Sequence, residues 1–217
     1  MEINQLKTFI MKLLKQLKMY KLGITGGIAS GKSTAASYFI NKNNNSYVFN
    51  ADRESKKHLK SSHSLQQKII NLFGNKVTND NKLDLQLLAK TAFDNKINHK
   101  ILNGIMWPEI FILITNKYNE LKDSNINLFI VDAALIFEAN YMHFFDTTLL
   151  VKASKNKRID RAIERRNLPL ESIQNRISLQ MSDKKKTELA NYSITNNSSI
   201  ENFYKNLDNF YKNLRLT

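Results

Sequence analysis

Between Gly26 and Ser33 the chain reads GGIASGKS: a glycine, four residues, then Gly-Lys-Ser. This is the spacing of a phosphate-binding loop. Glycines let the backbone bend until successive N–H groups converge on one anion. A helix opening at the same point adds unpaired N–H groups and the positive end of its dipole. Read this way, Gly26, Gly27, Ala29, Ser30 and Gly31 form the cradle, and Lys32 reaches the β- and γ-phosphates. The Ser33 hydroxyl is placed to ligate Mg²⁺, and Thr34 extends toward the α-phosphate. A plain glycine turn before a helix would explain neither Lys32 nor Ser33.

Such a loop binds a nucleotide without fixing the reaction, because hydrolases, switches and small-molecule kinases all use it. The acceptor side has to decide. Asp52 follows the apolar run in VFNAD. Beyond a strand's carboxyl end it faces the ligand crevice, where it takes a proton from an attacking hydroxyl, orients it, or holds Mg²⁺ through water. The structural alternative is a helix N-cap before RESKKHL. His58, two turns on, reads as a surface histidine. Asp132 ends the apolar run NLFIVD, a pattern suited to Mg²⁺ or its water shell, and Glu138 follows six residues later. In KNKRIDRAIERRN, Arg158, Arg161 and Arg165 share a helix face, with Arg166 beside them. They read either as cations over a transferring phosphoryl group or as a solvated charged helix with Asp160 and Glu164.

The elements that must hold these residues are legible from periodicity. YKLGIT (Tyr20 to Thr25), SYVFN (to Asn50), INLFIVD (Ile126 to Asp132), TTLLVK (Thr147 to Lys152) and YSIT (Tyr192 to Thr195) read as five short strands. Helices are expected after the glycine loop, over most of Asp52 to Tyr118 with a turn near Gly74 to Asp80, from Lys155 to Glu188, and from Ser198 to Leu214. Apolar strands alternating with helices predict an α/β fold with a parallel sheet covered on both faces. Residues 1–18 stand apart. Ile3, Leu6, Ile10, Leu13, Leu14 and Leu17 recur at helical spacing among lysines, so they form a basic amphipathic extension. It reads as a loosely packed extension or as a contact for a membrane surface or partner, and Met19 offers an alternative start.

The 217 residues suffice for one domain with a core. The absence of cysteine excludes disulfides and thiolate metal sites and suits a cytoplasmic, reducing setting. No apolar run reaches the ~20 residues of a membrane span. The formal charge of +14 is spread through a Lys- and Asn-rich composition, without a dense basic block carrying aromatics. A nucleic-acid partner is therefore not expected. An anionic small substrate suits the charge.

Together these segments resemble the dephospho-coenzyme A kinase family over nearly all of the chain from Met19 on. LGITGGIASGKST resembles its opening strand and loop, and VFNAD its Val-Ile-Asp-Ala-Asp segment, with Asp52 on the second Asp. VDAALIFE is similar to its Asp-x-Pro-Leu-Leu-Phe-Glu element. RIDRAIERR is similar to its lid helix, with Arg161 and Arg165 on the matching arginines. RISLQM and ANYSITNN resemble two further elements, with Asn196 on the family Asn. The resemblance implies a P-loop kinase fold with a helical substrate region at about 53–120 and a lid at about 155–188. It implies ATP as phosphate donor and the 3′-hydroxyl of dephospho-coenzyme A as acceptor, with Asp52, Lys32 and Arg161 in catalysis and Arg165 and Asn196 on the nucleotide side. Asn50, Leu85, Trp107, Ala134 and Asn191 depart from the family pattern, mostly on the acceptor side or in supporting loops. Lys82, Lys90 and His99 are candidates to compensate. The rival readings are a kinase for a nucleoside monophosphate or other small metabolite, and a non-catalytic nucleotide-binding protein with a basic interaction surface.

Overall fold

The computed structural model describes residues 19–166, with the side chain of Arg166 excepted, and residues 169–214. The amphipathic stretch at 1–18 lies outside the described residues. In chain order the elements are β1 (Tyr20–Thr25), α1 (Lys32–Lys42), β2 (Ser46–Asn50), α2 (Ala51–Ser61), α3 (His63–Phe73), a 3₁₀ turn (Gly74–Val77), β3 (Thr78–Asn79), β4 (Lys82–Leu83), α4 (Leu85–Asp94) and α5 (Lys96–Leu121). The chain continues through β5 (Leu128–Asp132), a short 3₁₀ turn (Met142–Phe144), β6 (Thr147–Lys152), α6 (Lys155–Arg166), α7 (Leu170–Leu179), α8 (Asp183–Leu189), β7 (Tyr192–Thr195) and α9 (Ile200–Lys212).

Five strands form one parallel sheet in the order β2-β5-β1-β6-β7. β5 is buried along its whole length, as LFIVD requires of a strand with a neighbour on each side and helices on both faces. Its pleat divides the core in two. Phe129 and Val131 join Phe49 and the apolar stripes of α3 and α5, among them Ile69 and Ile110. Leu128 and Ile130 join Leu22, Ile24, Leu149 and Val151, covered by Phe39 of α1 and Phe203 and Leu207 of α9.

Two boundaries differ from the sequence reading. The strand read from Ile126 begins at Leu128, because the backbone N–H groups of Asn127 and Leu128 both donate to the Asn45 carbonyl. The turn read near Gly74 to Asp80 is a 3₁₀ turn followed by a small antiparallel hairpin, Thr78 opposite Leu83 and Asn79 opposite Lys82. Asp80 and Asn81 at its tip both take positive φ, the backbone of a type I′ turn.

Register is what assembles the site. Asn50 of β2 and Ile24 of β1 both lie opposite Asp132 of β5. The carboxyl ends of three strands, and the loops that leave them, therefore meet at one edge of the sheet.

Candidate active site

The glycine loop leaves β1 and enters α1. Gly26 has φ 149°, Ala29 56° and Gly31 109°, so the turn is made largely from left-handed backbone. A Cβ on Gly26 would stand 2.2 Å from the Val151 carbonyl oxygen, which shows how tightly the loop is pressed onto β6. No side chain caps the N-terminus of α1. A helix start without a side-chain cap suits an anion. The Lys32 ammonium donates to the Gly27 carbonyl at 3.1 Å, folding over the loop it belongs to.

Behind the loop, the Ser33 hydroxyl donates to Asp132 Oδ2 at 2.6 Å, and the Asn50 amide donates to the same oxygen at 3.1 Å. Asp132 is buried, and burial pushes its carboxyl up. Lys32 and the Ser33 hydrogen bond pull it back, while Asp52 adds repulsion. A hydroxyl and a carboxylate side by side, both hard oxygen donors, fit Mg²⁺. Among the described residues no group of three His, Asp or Glu could hold a metal alone. A cation shared with nucleotide phosphates needs only one or two protein oxygens.

The structural alternative for Asp52, a helix N-cap, is corrected: that role falls to Asn50. The N-cap of α2 is Asn50, whose Oδ1 accepts from the Arg53 N–H at 2.8 Å while its amide reaches Asp132. An Asp at this position could cap but not donate. Asp52 sits inside the first turn, exposed, and lines a cavity of about 490 Å³ together with Lys32, Ile28 and Ala29 of the loop. The remaining wall is mostly apolar and comes from α2, α4 and α5, with Leu85, Met106 and Trp107 on it, and from residues 133–135, Arg176 and Gln180. His99 lines it too; of the three candidate compensating residues it is the one so placed. His58 stays outside, paired with Glu109 at 3.1 Å.

The arginine helix α6 covers the loop from above, and the three arginines that share a face of it have different fates. Arg158 is buried against Gly27, where a Cβ would meet its guanidinium at 1.8 Å, and lies 3.8 Å from Asp183. Arg161 donates to the Asn196 carbonyl at 3.1 Å. Asn196, buried, donates in turn to the Ser30 carbonyl at 2.9 Å and tethers β7 to the loop. Arg165 is exposed. Buried Nε of Arg158, Nη1 of Arg161 and the Ser30 hydroxyl hold no hydrogen bond among the described residues. A cluster of donors left open around a phosphate-binding loop is what an anionic ligand would complete.

The sequence model of the dephospho-CoA kinase family matches residues 20–202, which span all of these groups. The chain belongs to that family. The Fusobacterium nucleatum dephospho-CoA kinase is 35% identical over 186 residues, covering 85% of this chain and 93% of that one. A crystal structure from Thermus thermophilus aligns with a TM-score of 0.74 at 26% identity, over 91% of this chain and 98% of the other. The Campylobacter jejuni dephospho-CoA kinase aligns with a TM-score of 0.59 at 26% identity, over 88% and 95%. The fold is the P-loop kinase fold, and the chain is a kinase.

Membership makes the departures readable. Asn191, where the family has Asp, uses only its oxygen, accepting from the Thr148 N–H at 2.8 Å and hydroxyl at 2.9 Å. Ala134, where the family has Pro, contributes its carbonyl, which accepts from Thr25 and from Lys186. Lys186 was not singled out by the sequence reading. It is fully buried, paired with Glu138 at 2.9 Å, and Glu138 also accepts from the Met181 N–H. It stood in a run of lysines, DKKKTEL, that gives no sign of which one turns inward. Gln180 joins this group by accepting from the Ile28 N–H at 3.2 Å.

Proposed function

We propose that this kinase transfers the γ-phosphoryl group of ATP to the 3′-hydroxyl of dephospho-coenzyme A, giving coenzyme A, and that it works in the cytoplasm. The observation that carries the reading is the shared cavity, in which Lys32 of the phosphate-binding loop and Asp52 of α2 line one space. Donor and acceptor chemistry can meet there.

The loop Gly26–Thr34 cradles the phosphates with its N–H groups and the start of α1. Lys32 swings from the Gly27 carbonyl to the β- and γ-phosphates. Ser33 and Asp132 are the residues that would hold Mg²⁺, which supplies neutralisation of phosphate charge when bound. Arg161 and Arg165 stabilise charge on the transferring group, and Asn196 braces the loop from beneath. Asp52 accepts a hydrogen bond from the acceptor hydroxyl and takes its proton as the phosphoryl group leaves. The segment at about 155–188 acts as a lid that excludes water, and the helices at about 53–120 hold the acceptor. Supporting the reading are the family match, the polar pair Ser33–Asp132 and the open donors above the loop.

The test is phosphate transfer from ATP to dephospho-coenzyme A, with adenosine monophosphate and no acceptor as controls. Transfer only with dephospho-coenzyme A is expected. Preferred transfer to adenosine monophosphate, or ATP binding without any transfer, would overturn the reading in favour of a different acceptor or a non-catalytic role.

A further inference from the structure

The cavity at the loop is long on its α2 side, and that side is graded in charge. Asp52, Ser55, Lys56, Leu59 and Lys60 all line it. These positions repeat at three and four residues, so they form one face of the helix. Asp52 stands at the loop end, Lys56 one turn on and Lys60 a second turn on, about 12 Å away along the axis at about 1.5 Å per residue. Outside α2 the basic side chains that line the cavity are Lys32 of the loop and Arg176 of α7. α4 contributes Leu85, Leu88 and Ala89 to the lining. On the far side Arg176 is stacked on Phe93 at 4.3 Å.

The lysines facing the cavity also differ from their neighbours. Lys57 pairs with Glu54 at 3.4 Å, and Lys68 with Glu109 at 3.3 Å. Among the described residues Lys56 and Lys60 hold no ion pair. Two ammonium groups without an ion pair, one turn apart on one helix face of the cavity, suit a ligand with a compact double negative charge.

We propose that Lys56 and Lys60 form the subsite for the acceptor's 5′-diphosphate, and so set acceptor selectivity from α2. The inference rests on the acceptor reading above. With the ribose 3′-hydroxyl at Asp52, the 5′-diphosphate lies one ribose and one methylene away, a span close to one helical turn. It falls beside Lys56 first and Lys60 next. A nucleoside lacking the diphosphate leaves both lysines unanswered, so the stripe selects a 5′-diphosphate-bearing acceptor over a bare nucleoside. The apolar wall beyond, with Leu85 and Leu88, receives the uncharged remainder.

Trp107 lines the cavity and is the sole tryptophan of the chain, so its fluorescence reports occupancy without any turnover. Dephospho-coenzyme A is titrated into wild type, Lys60→Ala, Lys56→Ala and the Lys60→Ala/Leu85→Arg double variant, and KM and kcat are measured beside it. Loss of a charge-assisted contact should weaken acceptor affinity about tenfold in each single variant, with the KM for ATP unchanged. The dependence of acceptor affinity on salt should become shallower. The double variant should recover affinity, because the added guanidinium enters the same cavity from the opposite wall. Unchanged acceptor affinity and salt dependence in both single variants would overturn the subsite even if turnover is normal. Lysine-dependent binding of dephospho-coenzyme A without turnover would uphold the subsite and sink the proposed reaction instead.

Discussion

At the scale of single residues, the site shows how much one atom decides. Asn50 can do two jobs because an amide both accepts and donates, and so Asp52 is released from capping to face the cavity. Asp132 carries the opposite burden, buried and hydrogen-bonded, with its ionised form disfavoured by burial and partly restored by Lys32 and Ser33. The two carboxylates are therefore unequal, and the exposed one is suited to proton transfer. Asp52→Asn should lower kcat by a factor of at least about 10² while ATP binding persists. The melting temperature should be unchanged, since the Asp52 carboxylate holds no hydrogen bond among the described residues. Parallel measurement of turnover, ATP binding and melting checks this. A variant with normal turnover would remove Asp52 from catalysis.

At the scale of elements, three connections bind the carboxyl-terminal third of the chain to the nucleotide loop and its neighbours. Asn196 ties β7 to Ser30, Gln180 ties the end of α7 to Ile28, and Lys186 of α8 ties Glu138 to the Ala134 carbonyl. The last is the most exposed to failure, because Lys186 is wholly buried and its loss leaves the Glu138 charge without its cation. Lys186→Met should destabilise the protein by about 3 kcal/mol in urea denaturation. Adding Glu138→Gln should recover part of that loss. The amide removes the stranded charge and keeps an oxygen for the Met181 N–H. A double variant as unstable as the single one would show that the ion pair is not what the lysine provides.

At the scale of the whole molecule, the charge of +14 does not gather into one basic face in the sequence, and the site draws on few of its cations. What does act globally is pH. Burial holds the His99 imidazole below its ordinary value, and Glu138 opposes this only in part. The folded protein thus keeps His99 neutral while the unfolded chain takes a proton first as pH falls below about 6.5. Stability is full above that value and declines as pH drops through it. His99→Gln should flatten this acidic limb, read as urea midpoints at pH 7.5 and 5.5. An identical pH dependence in wild type and variant would mean that other groups carry it.

The sequence by itself determined the nucleotide loop and the order of the elements. Both are local matters: glycine spacing, the apolar period of each segment, and turn residues are fixed by near neighbours in the chain. Asp52, Asp132 and Arg161 were legible as candidates for the same reason, each at the end of a strand or on one helix face. Only the tertiary structure decided which of them meet. The pairing of Asn50 and Ile24 with Asp132 is a matter of sheet register across 82 and 108 residues of chain, which no local pattern encodes. The inward turn of Lys186 depends on an acid 48 residues away, and the two α2 lysines gain meaning only from the apolar wall that α4 sets against them. Long-range pairing and burial set these contacts, and both depend on parts of the chain that are neighbours only after folding.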